Sequence, residues 1–223
     1  MSSAGRSATA AYIGPFVVFV GVMALEHTLL PNSQVLYPVR FIAALAAILY
    51  FWWGRLDLRP SQPLASIAIG LAVFVIWVAP DRLFHYRHFW LFDNSIVGSA
   101  SSSIPANLQI TFWFLLVRTL GSVVLVPILE ELFWRGWLMR WLINQDFEKV
   151  PLGTYAPYAF WLTAVLFASE HGPYWEVGLA AGVIYNWWLI RTKTLADCIL
   201  AHAVTNGVLA AYVMVGEHWQ YWL

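Results

Sequence analysis

Continuous apolar runs separated by short polar turns account for most of the chain. Seven runs approach the length of a membrane-spanning helix, at residues 12–30, 35–53, 64–78, 119–144, 155–172, 175–190 and 195–216. A helix needs about 20 apolar residues to cross the hydrocarbon core of a bilayer. Because the runs are continuous and do not alternate, they indicate helices rather than a membrane β-barrel. The pattern predicts an all-α, polytopic transmembrane helix bundle of seven spans.

The segment from Pro105 to Asn144 is longer than one span requires. At ~1.5 Å per residue, a helix of this length extends about 60 Å, about twice the thickness of the bilayer core. We therefore expect residues 107–118 to lie along the membrane interface, and residues 119–144 to cross the membrane with a kink at Pro127. If the chain instead turned back at Pro127, the bundle would have eight spans.

The composition also indicates a membrane protein. Of the 223 residues, 61% are hydrophobic and only 11% are charged, whereas about 25% of the residues in a soluble domain are charged. These values exclude a disordered chain, a nucleic-acid-binding module and an ordinary cytosolic enzyme, and they make the lipid bilayer a partner. We expect a single integral membrane domain over residues 1–223, with N-terminal spans and a loop in 1–104 and a motif-bearing core in 105–216. The oligomeric state is left open.

Basic residues are unevenly distributed between the two sets of loops. With the N-terminus in the cytoplasm, seven Lys and Arg residues lie on the cytoplasmic side and two, Arg82 and Arg87, on the other. Because cytoplasmic loops carry an excess of Lys and Arg, this distribution predicts a cytoplasmic N-terminus. Residues 81–105, the least apolar stretch, are then expected outside, in the lipid headgroup region.

Ionisable residues occur in three of the apolar segments, where desolvation is costly, so each is a candidate for a functional site. The three clusters read Glu-Glu-Leu-Phe-Trp-Arg at 130–135, Phe-Ala-Ser-Glu-His at 167–171 and His-Ala-Val-Thr-Asn at 202–206. In the first cluster, Glu131 and Arg135 are four residues apart on one helix face and are expected to pair as a structural clamp. Glu130 lies ~100° around the helix and has no local cation, so it is the candidate general base.

The other two clusters have the same four-residue spacing. His202 and Asn206 should project into one space, and the ring of Phe167 should pack beneath the imidazole of His171. Counted at ~1.5 Å per residue from the predicted cytoplasmic helix ends, Glu130 and these polar residues lie between about 11 and about 24 Å up the bundle. Allowing for uncertain helix ends and tilt, the spacing is compatible with one site at a shared level.

Motifs of several other hydrolase classes do not occur in the sequence. There is no His-Glu-x-x-His, Gly-x-Ser-x-Gly, Gly-x-Gly-Asp or Gly-x-Ser-Gly. The single cysteine, Cys198, excludes an intramolecular disulfide and a Cys-based zinc site. We expect it to be a small buried residue.

Three motifs occur in order inside apolar segments: Glu130-Glu131-x-x-x-Arg135, Phe167-x-x-x-His171 and His202-x-x-x-Asn206. Together they resemble the signature of the CAAX protease and bacteriocin-processing family, which contains the type II CAAX prenyl endopeptidases. The resemblance covers about residues 123–207. The aromatic-rich character and compact size are similar to the CAAX-protease-related branch that accompanies exosortase systems, which implies a bacterial inner-membrane protein.

The resemblance implies an intramembrane endopeptidase that acts on a membrane-associated or lipid-modified peptide or protein. Glu130 and His171 would activate water, His202 and Asn206 would stabilise the oxyanion, and the clamp would hold the motif helix. A zinc enzyme is the alternative, with Glu130, His171 and His202 as ligands and one open position. Because the amide of Asn206 is a poor zinc ligand and a good oxyanion donor, we favour the metal-free scheme.

The substrate requirement and two functions other than a peptidase stay open. Type II enzymes usually have another span after the third motif, whereas the last predicted span here ends near residue 216, so a requirement for a prenylated substrate is undecided. The polar clusters would also suit a non-catalytic membrane interaction or immunity-type protein. A proton-coupled transporter is less favoured, because the sequence shows no internal repeat and no paired broken helices.

Overall fold

The computed structural model describes residues 3–30, 34, 36–102 and 104–222, with side chains from residue 8 onward. Within these ranges the chain is helical and forms no β-strand, so the predicted all-α class is confirmed. The helices are α1 (Ser3–Leu29), α2 (Tyr37–Trp52), α3 (Pro63–Phe84), α4 (Ala106–Gln109), α5 (Phe112–Ile143), α6 (Pro157–Ser169), α7 (Trp175–Thr192) and α8 (Leu195–Gly216).

Several of these helices have the length and composition of membrane spans. In the described part of the chain, four segments qualify: Ala8–Leu29, Pro63–Phe84, Phe112–Ile143 and Leu195–Gly216. Helices α2 and α6 are shorter apolar helices, of 16 and 13 residues. The chain is thus an integral membrane protein, and the count of seven spans stays a prediction. Position 35, where the second predicted run begins, lies outside the described residues.

Helix α5 differs from the prediction for this region. It is continuous over 32 residues, from Phe112 to Ile143, and stays helical through Pro127. The eight-span alternative, which required a turn at Pro127, is therefore wrong. The helix also begins earlier than the predicted start of the span at residue 119, because the break after α4 falls at residues 110–111.

Two π-helical segments, Gly121–Leu125 and Leu132–Leu138, flank the turn of α5 that carries the two glutamates. Pro127 explains the first segment, since it has no N–H and its ring clashes with the carbonyl four residues earlier in a regular helix. The N–H of Val126 already donates to the carbonyl of Gly121, five residues back. The helix therefore widens just before the proline, as helices often do at functional sites.

Helices α3 and α8 form the most extensive helix–helix contact in the described chain. A Cβ on Gly70 would lie 2.4 Å from the carbonyl oxygen of Ala201 and 2.7 Å from Cβ of Val204, so only glycine fits this crossing. The approach lets Thr205 Oγ1 donate to the Gly70 carbonyl at 2.9 Å. Helix α8 also packs against α5 and α7, and Cys198 is buried, as predicted.

Hydrogen bonds join the neighbouring segments at both ends of α3 and α8. At the start of α3 and α8, the backbone N–H of Ser61 donates to the Asp197 carboxylate at 2.9 Å. At the far ends of the same helices, the Tyr221 hydroxyl donates to Asp81 at 2.7 Å. Residues 81–102, 104 and 105 lie at this second end. The grouping of the loops by membrane face, and which end faces the cytoplasm, stay predictions.

Candidate active site

The four candidate catalytic residues, Glu130, His171, His202 and Asn206, line one cavity of about 120 Å³. This volume holds several water molecules. The rest of the wall comes from α3, α5, α6, α7 and α8 and is mostly apolar or aromatic: Val73, Trp77, Val126, Phe167, Ala181, Tyr185, Thr205 and Leu209. Residues more than 70 positions apart in sequence therefore meet at one level of the bundle, the arrangement that the depth count allowed.

Glu130 has a carboxylate oxygen without a protein partner. Its Oε2 atom is buried and accepts no hydrogen bond from the described residues, and no ion pair joins Glu130 to a cation within them. Buried polar atoms are nearly always hydrogen-bonded. Because Glu130 lines the cavity, a water molecule or a ligand there is the natural partner for this oxygen.

Glu131 does more than the predicted clamp requires. Its Oε1 atom accepts from Arg135 at 3.2 Å, as the spacing predicts, and also lies 2.9 Å from Nδ1 of His202. Glu131 and Arg135 are both 0% exposed. The carboxylate therefore orients an imidazole of the cavity, leaving Nε2 as the His202 nitrogen available to a substrate. No spacing rule could have shown this contact, because it joins α5 to α8.

Arg135 connects three helices. Its Nε atom donates to Asn186 at 2.9 Å and its Nη2 atom donates to the Gly182 carbonyl at 3.3 Å, both on α7. The guanidinium also lies 4.4 Å from the ring centroid of Phe167 on α6. These contacts fix the rotation of α5 relative to α6 and α7, and the bond to Glu131 stays within α5.

His171 lies in a turn just beyond the end of α6 at Ser169. Its Nδ1 atom is 2.7 Å from the backbone carbonyl of Phe167. Because a carbonyl only accepts, Nδ1 carries the proton, and in the neutral ring Nε2 is an acceptor. The ring contacts Phe167 at 4.7 Å between centroids, as the spacing predicts, and Trp77 at 5.2 Å.

Asn206 is held by the widened part of α5. Its Nδ2 atom donates to the carbonyl of Ser122 at 2.8 Å. In the π-helical register set by Val126, the N–H that would bond to this carbonyl belongs to residue 127, which is proline. The Asn206 amide thus supplies the donor that Pro127 lacks, and its second N–H stays available for the cavity.

Sequence reasoning missed three residues of the cavity wall. Tyr185 stacks on His202 at 5.2 Å between centroids, and its hydroxyl is 2.8 Å from that of Thr205. Trp77 packs against the other histidine of the site and has a buried Nε1 atom without a partner in the described chain. Since aromatic and hydroxyl residues are common in apolar helices, only the folded arrangement distinguishes these three.

The alternative zinc ligands do not form a metal-binding cluster. Within the described ranges, no group of three or more His, Cys, Asp or Glu side chains has an arrangement that could hold a metal ion. Nδ1 of each histidine is bonded to a protein acceptor, so Nε2 is the nitrogen left to face the cavity. Because the described residues contain no metal-binding cluster of this kind, we derive no step through a metal.

The protein is an integral membrane protein in which apolar helices surround a small cavity lined by one carboxylate, two imidazoles and one amide. Side chains of these types can transfer protons and donate hydrogen bonds. Residues 111–208, which include all three motifs, match the family model described as Rce1-like, type II CAAX prenyl endopeptidase Rce1-like. The resemblance to the CAAX protease family is confirmed. Because this is a family of proteases, the match supports the prediction that the protein is a peptidase. Comparison with curated proteins and comparison with solved structures gave no match.

Proposed function

We propose that this protein is an intramembrane endopeptidase that hydrolyses a peptide bond with water activated by Glu130 and His171. The observation that carries the proposal is the buried, unpartnered Oε2 of Glu130 in a cavity that His171, His202 and Asn206 also line. The family match over residues 111–208 supports the same reaction class.

The proposed reaction begins with a water molecule between Glu130 and His171. One O–H donates to the free carboxylate oxygen and the other to Nε2 of His171, so the oxygen lone pair is directed at the substrate carbonyl. As the water oxygen bonds to the carbonyl carbon, Glu130 takes its proton. When the C–N bond breaks, Glu130 returns that proton to the leaving amine, and the acid and base roles are restored.

The tetrahedral intermediate places negative charge on the former carbonyl oxygen. Asn206 offers its second amide N–H to this oxygen, and His202 offers Nε2–H when its ring is doubly protonated. Both donors are preorganised, because Ser122 holds the amide at 2.8 Å and Glu131 holds the imidazole at 2.9 Å. Removing one such donor typically slows turnover by about 10²–10³-fold.

The proposed substrate is a membrane-associated or lipid-modified peptide or protein. The cavity lies among apolar helices, and its walls offer mainly apolar contacts through residues such as Val73, Val126 and Leu209. A substrate segment that enters from the bilayer would meet little polar surface before the catalytic groups. Whether a prenyl group is required is tested by comparing a farnesylated CAAX peptide with the same peptide unmodified.

The decisive variant is Glu130→Gln, which keeps the shape of the side chain but cannot accept a proton from water. Purified protein is assayed with the two peptides, and cleavage products are identified by mass spectrometry. Without the general base, the turnover rate should fall by about 10²–10⁴-fold. Thermal stability should be unchanged, because the affected oxygen makes no protein hydrogen bond in the described chain.

Glu148→Gln, the same substitution at an exposed position in the turn after α5, is the matched control and should keep wild-type activity. Full activity of Glu130→Gln would overturn the mechanism. Prolonged chelation combined with elemental analysis tests whether activity depends on a bound zinc ion. If zinc co-purifies in stoichiometric amount and its removal abolishes turnover, the metal-free scheme is wrong.

A non-catalytic interaction protein is the second candidate. The observation that favours it is that Glu131, Arg135 and Asn206 all form hydrogen bonds with other residues of the protein. In this case a cellular phenotype of the protein would survive Glu130→Gln at normal abundance. Under the peptidase proposal the phenotype is lost while the abundance stays normal.

A further inference from the structure

Arg87, in the loop after α3, is a buried cation. Its side chain is only 9% exposed. Its guanidinium pairs with the Glu176 carboxylate at 2.7 and 3.1 Å and lies 3.7 Å from Asp81. It also donates to the backbone carbonyl of Pro173 and covers the ring of Tyr174 at 4.1 Å from the centroid. A paired, buried arginine of this kind holds its neighbours in a fixed geometry.

The residues that Arg87 holds follow directly after His171. The N–H of Tyr174 donates to the His171 carbonyl at 3.0 Å. The Tyr174 ring stacks on Trp77 at 6.2 Å and 19°, and Trp77 packs edge-on against the His171 imidazole at 5.2 Å. Arg87 therefore contacts the His171 turn both through the backbone and through a column of aromatic rings.

The loop that carries Arg87 also covers this turn. Gly172 has a positive φ of 52°, and a Cβ there would lie 2.9 Å from the carbonyl oxygen of Val97. The Tyr86 hydroxyl donates to Glu176 at 2.7 Å. Burial and this hydrogen bond raise the pKa of the Tyr86 phenol above its ordinary value, so it stays a donor at neutral pH.

We propose that Arg87 is a positioning residue of the active site, which fixes the His171 imidazole through Pro173, Tyr174 and Trp77. The segment from Asp81 to Val97 would thus support a catalytic residue that lies beyond the end of its helix. The kinetic part of this inference rests on the proposed peptidase function. The part that concerns the His171 ring does not depend on it.

The test compares wild type with Arg87→Gln in detergent micelles. The ring nitrogens of His171 are observed by NMR of ¹⁵N-histidine protein, and the signal is assigned by its loss in His171→Gln. In wild type, the two ¹⁵N chemical shifts should be those of a single Nδ1–H tautomer. In Arg87→Gln, both chemical shifts should move toward values averaged over the two tautomers. The turnover number on the cleaved peptide should fall by about 10–100-fold, with a Michaelis constant within about twofold of wild type.

Arg87→Lys keeps the charge but not the two-pronged pairing, and should restore part of the turnover. Arg82→Gln makes the same charge change at an exposed position at the end of α3 and should leave both readouts as in wild type. If Arg87→Gln does not fold, Glu176→Gln, which removes the paired charge without a change in volume, decides in its place.

An unchanged His171 signal overturns the proposal, whether or not turnover falls. A shifted signal with unchanged turnover in an active enzyme overturns it as well. If wild-type protein cleaves no peptide, the proposed function fails on that result, and the NMR comparison alone decides whether Arg87 holds the imidazole.

Discussion

Replacing Arg135 by leucine should be among the most destabilising single changes in this protein. The guanidinium is fully buried and donates to Glu131, Asn186 and the Gly182 carbonyl. Arg135→Leu leaves the Glu131 carboxylate buried with only His202 as a partner. Breaking a buried ion pair from one side typically costs about 3–5 kcal/mol.

The loss can be measured as a shift in thermal unfolding in detergent. For a chain of this size, about 3–5 kcal/mol corresponds to a decrease in Tm of about 6–20 °C. The double variant Glu131→Gln/Arg135→Leu should be more stable than Arg135→Leu, because no unpaired carboxylate remains. Arg191→Leu, at an exposed position on α7, is the control and should stay within about 0.5 kcal/mol of wild type.

Two results would contradict this reasoning. If the free energy of unfolding of Arg135→Leu lies within about 1 kcal/mol of the wild-type value, the buried network does not hold the helices together. If the variant is as stable as wild type but inactive, Arg135 takes part in the reaction, and its assignment to a structural clamp is wrong.

Two other changes test the helix distortion and the topology. Pro127→Ala supplies an N–H that competes with Asn206 for the Ser122 carbonyl. Turnover should therefore fall, by less than the ~10²–10³-fold typical of a lost oxyanion donor, and the thermal stability should stay the same. Unchanged turnover would show that Asn206 is held independently of this carbonyl. Ser102→Cys in a Cys198→Ala background should react with an impermeant thiol reagent from outside intact cells, whereas labelling only after lysis would invert the predicted orientation.

The helices of the site and the contacts within single helices could be predicted from the sequence. The apolar runs predicted the helices, because a span must satisfy its backbone hydrogen bonds internally. The four-residue spacing predicted the Glu131–Arg135 pair and the packing of Phe167 against His171, since these contacts depend only on the 3.6-residue period of a helix. The three motifs were likewise sufficient for the resemblance that the family match confirms.

The sequence also marked Pro127 as a point of strain, but not its consequence. A missing N–H can produce a kink, a turn or a widened helix. The structure shows widening, with the Ser122 carbonyl taken by Asn206 from another helix. Which outcome occurs depends on whether a neighbouring donor can reach the vacant carbonyl.

The contacts between helices were decided by tertiary structure alone. The bond from His202 to Glu131, the stacking of Tyr185 on that histidine and the hold of Arg87 on the turn after His171 each join distant segments. Such contacts depend on the rotation, tilt and depth of each helix, which close approaches like that at Gly70 determine. Periodicity along one helix carries no information about these quantities, so the sequence could propose the candidate catalytic residues but not the partners that orient them.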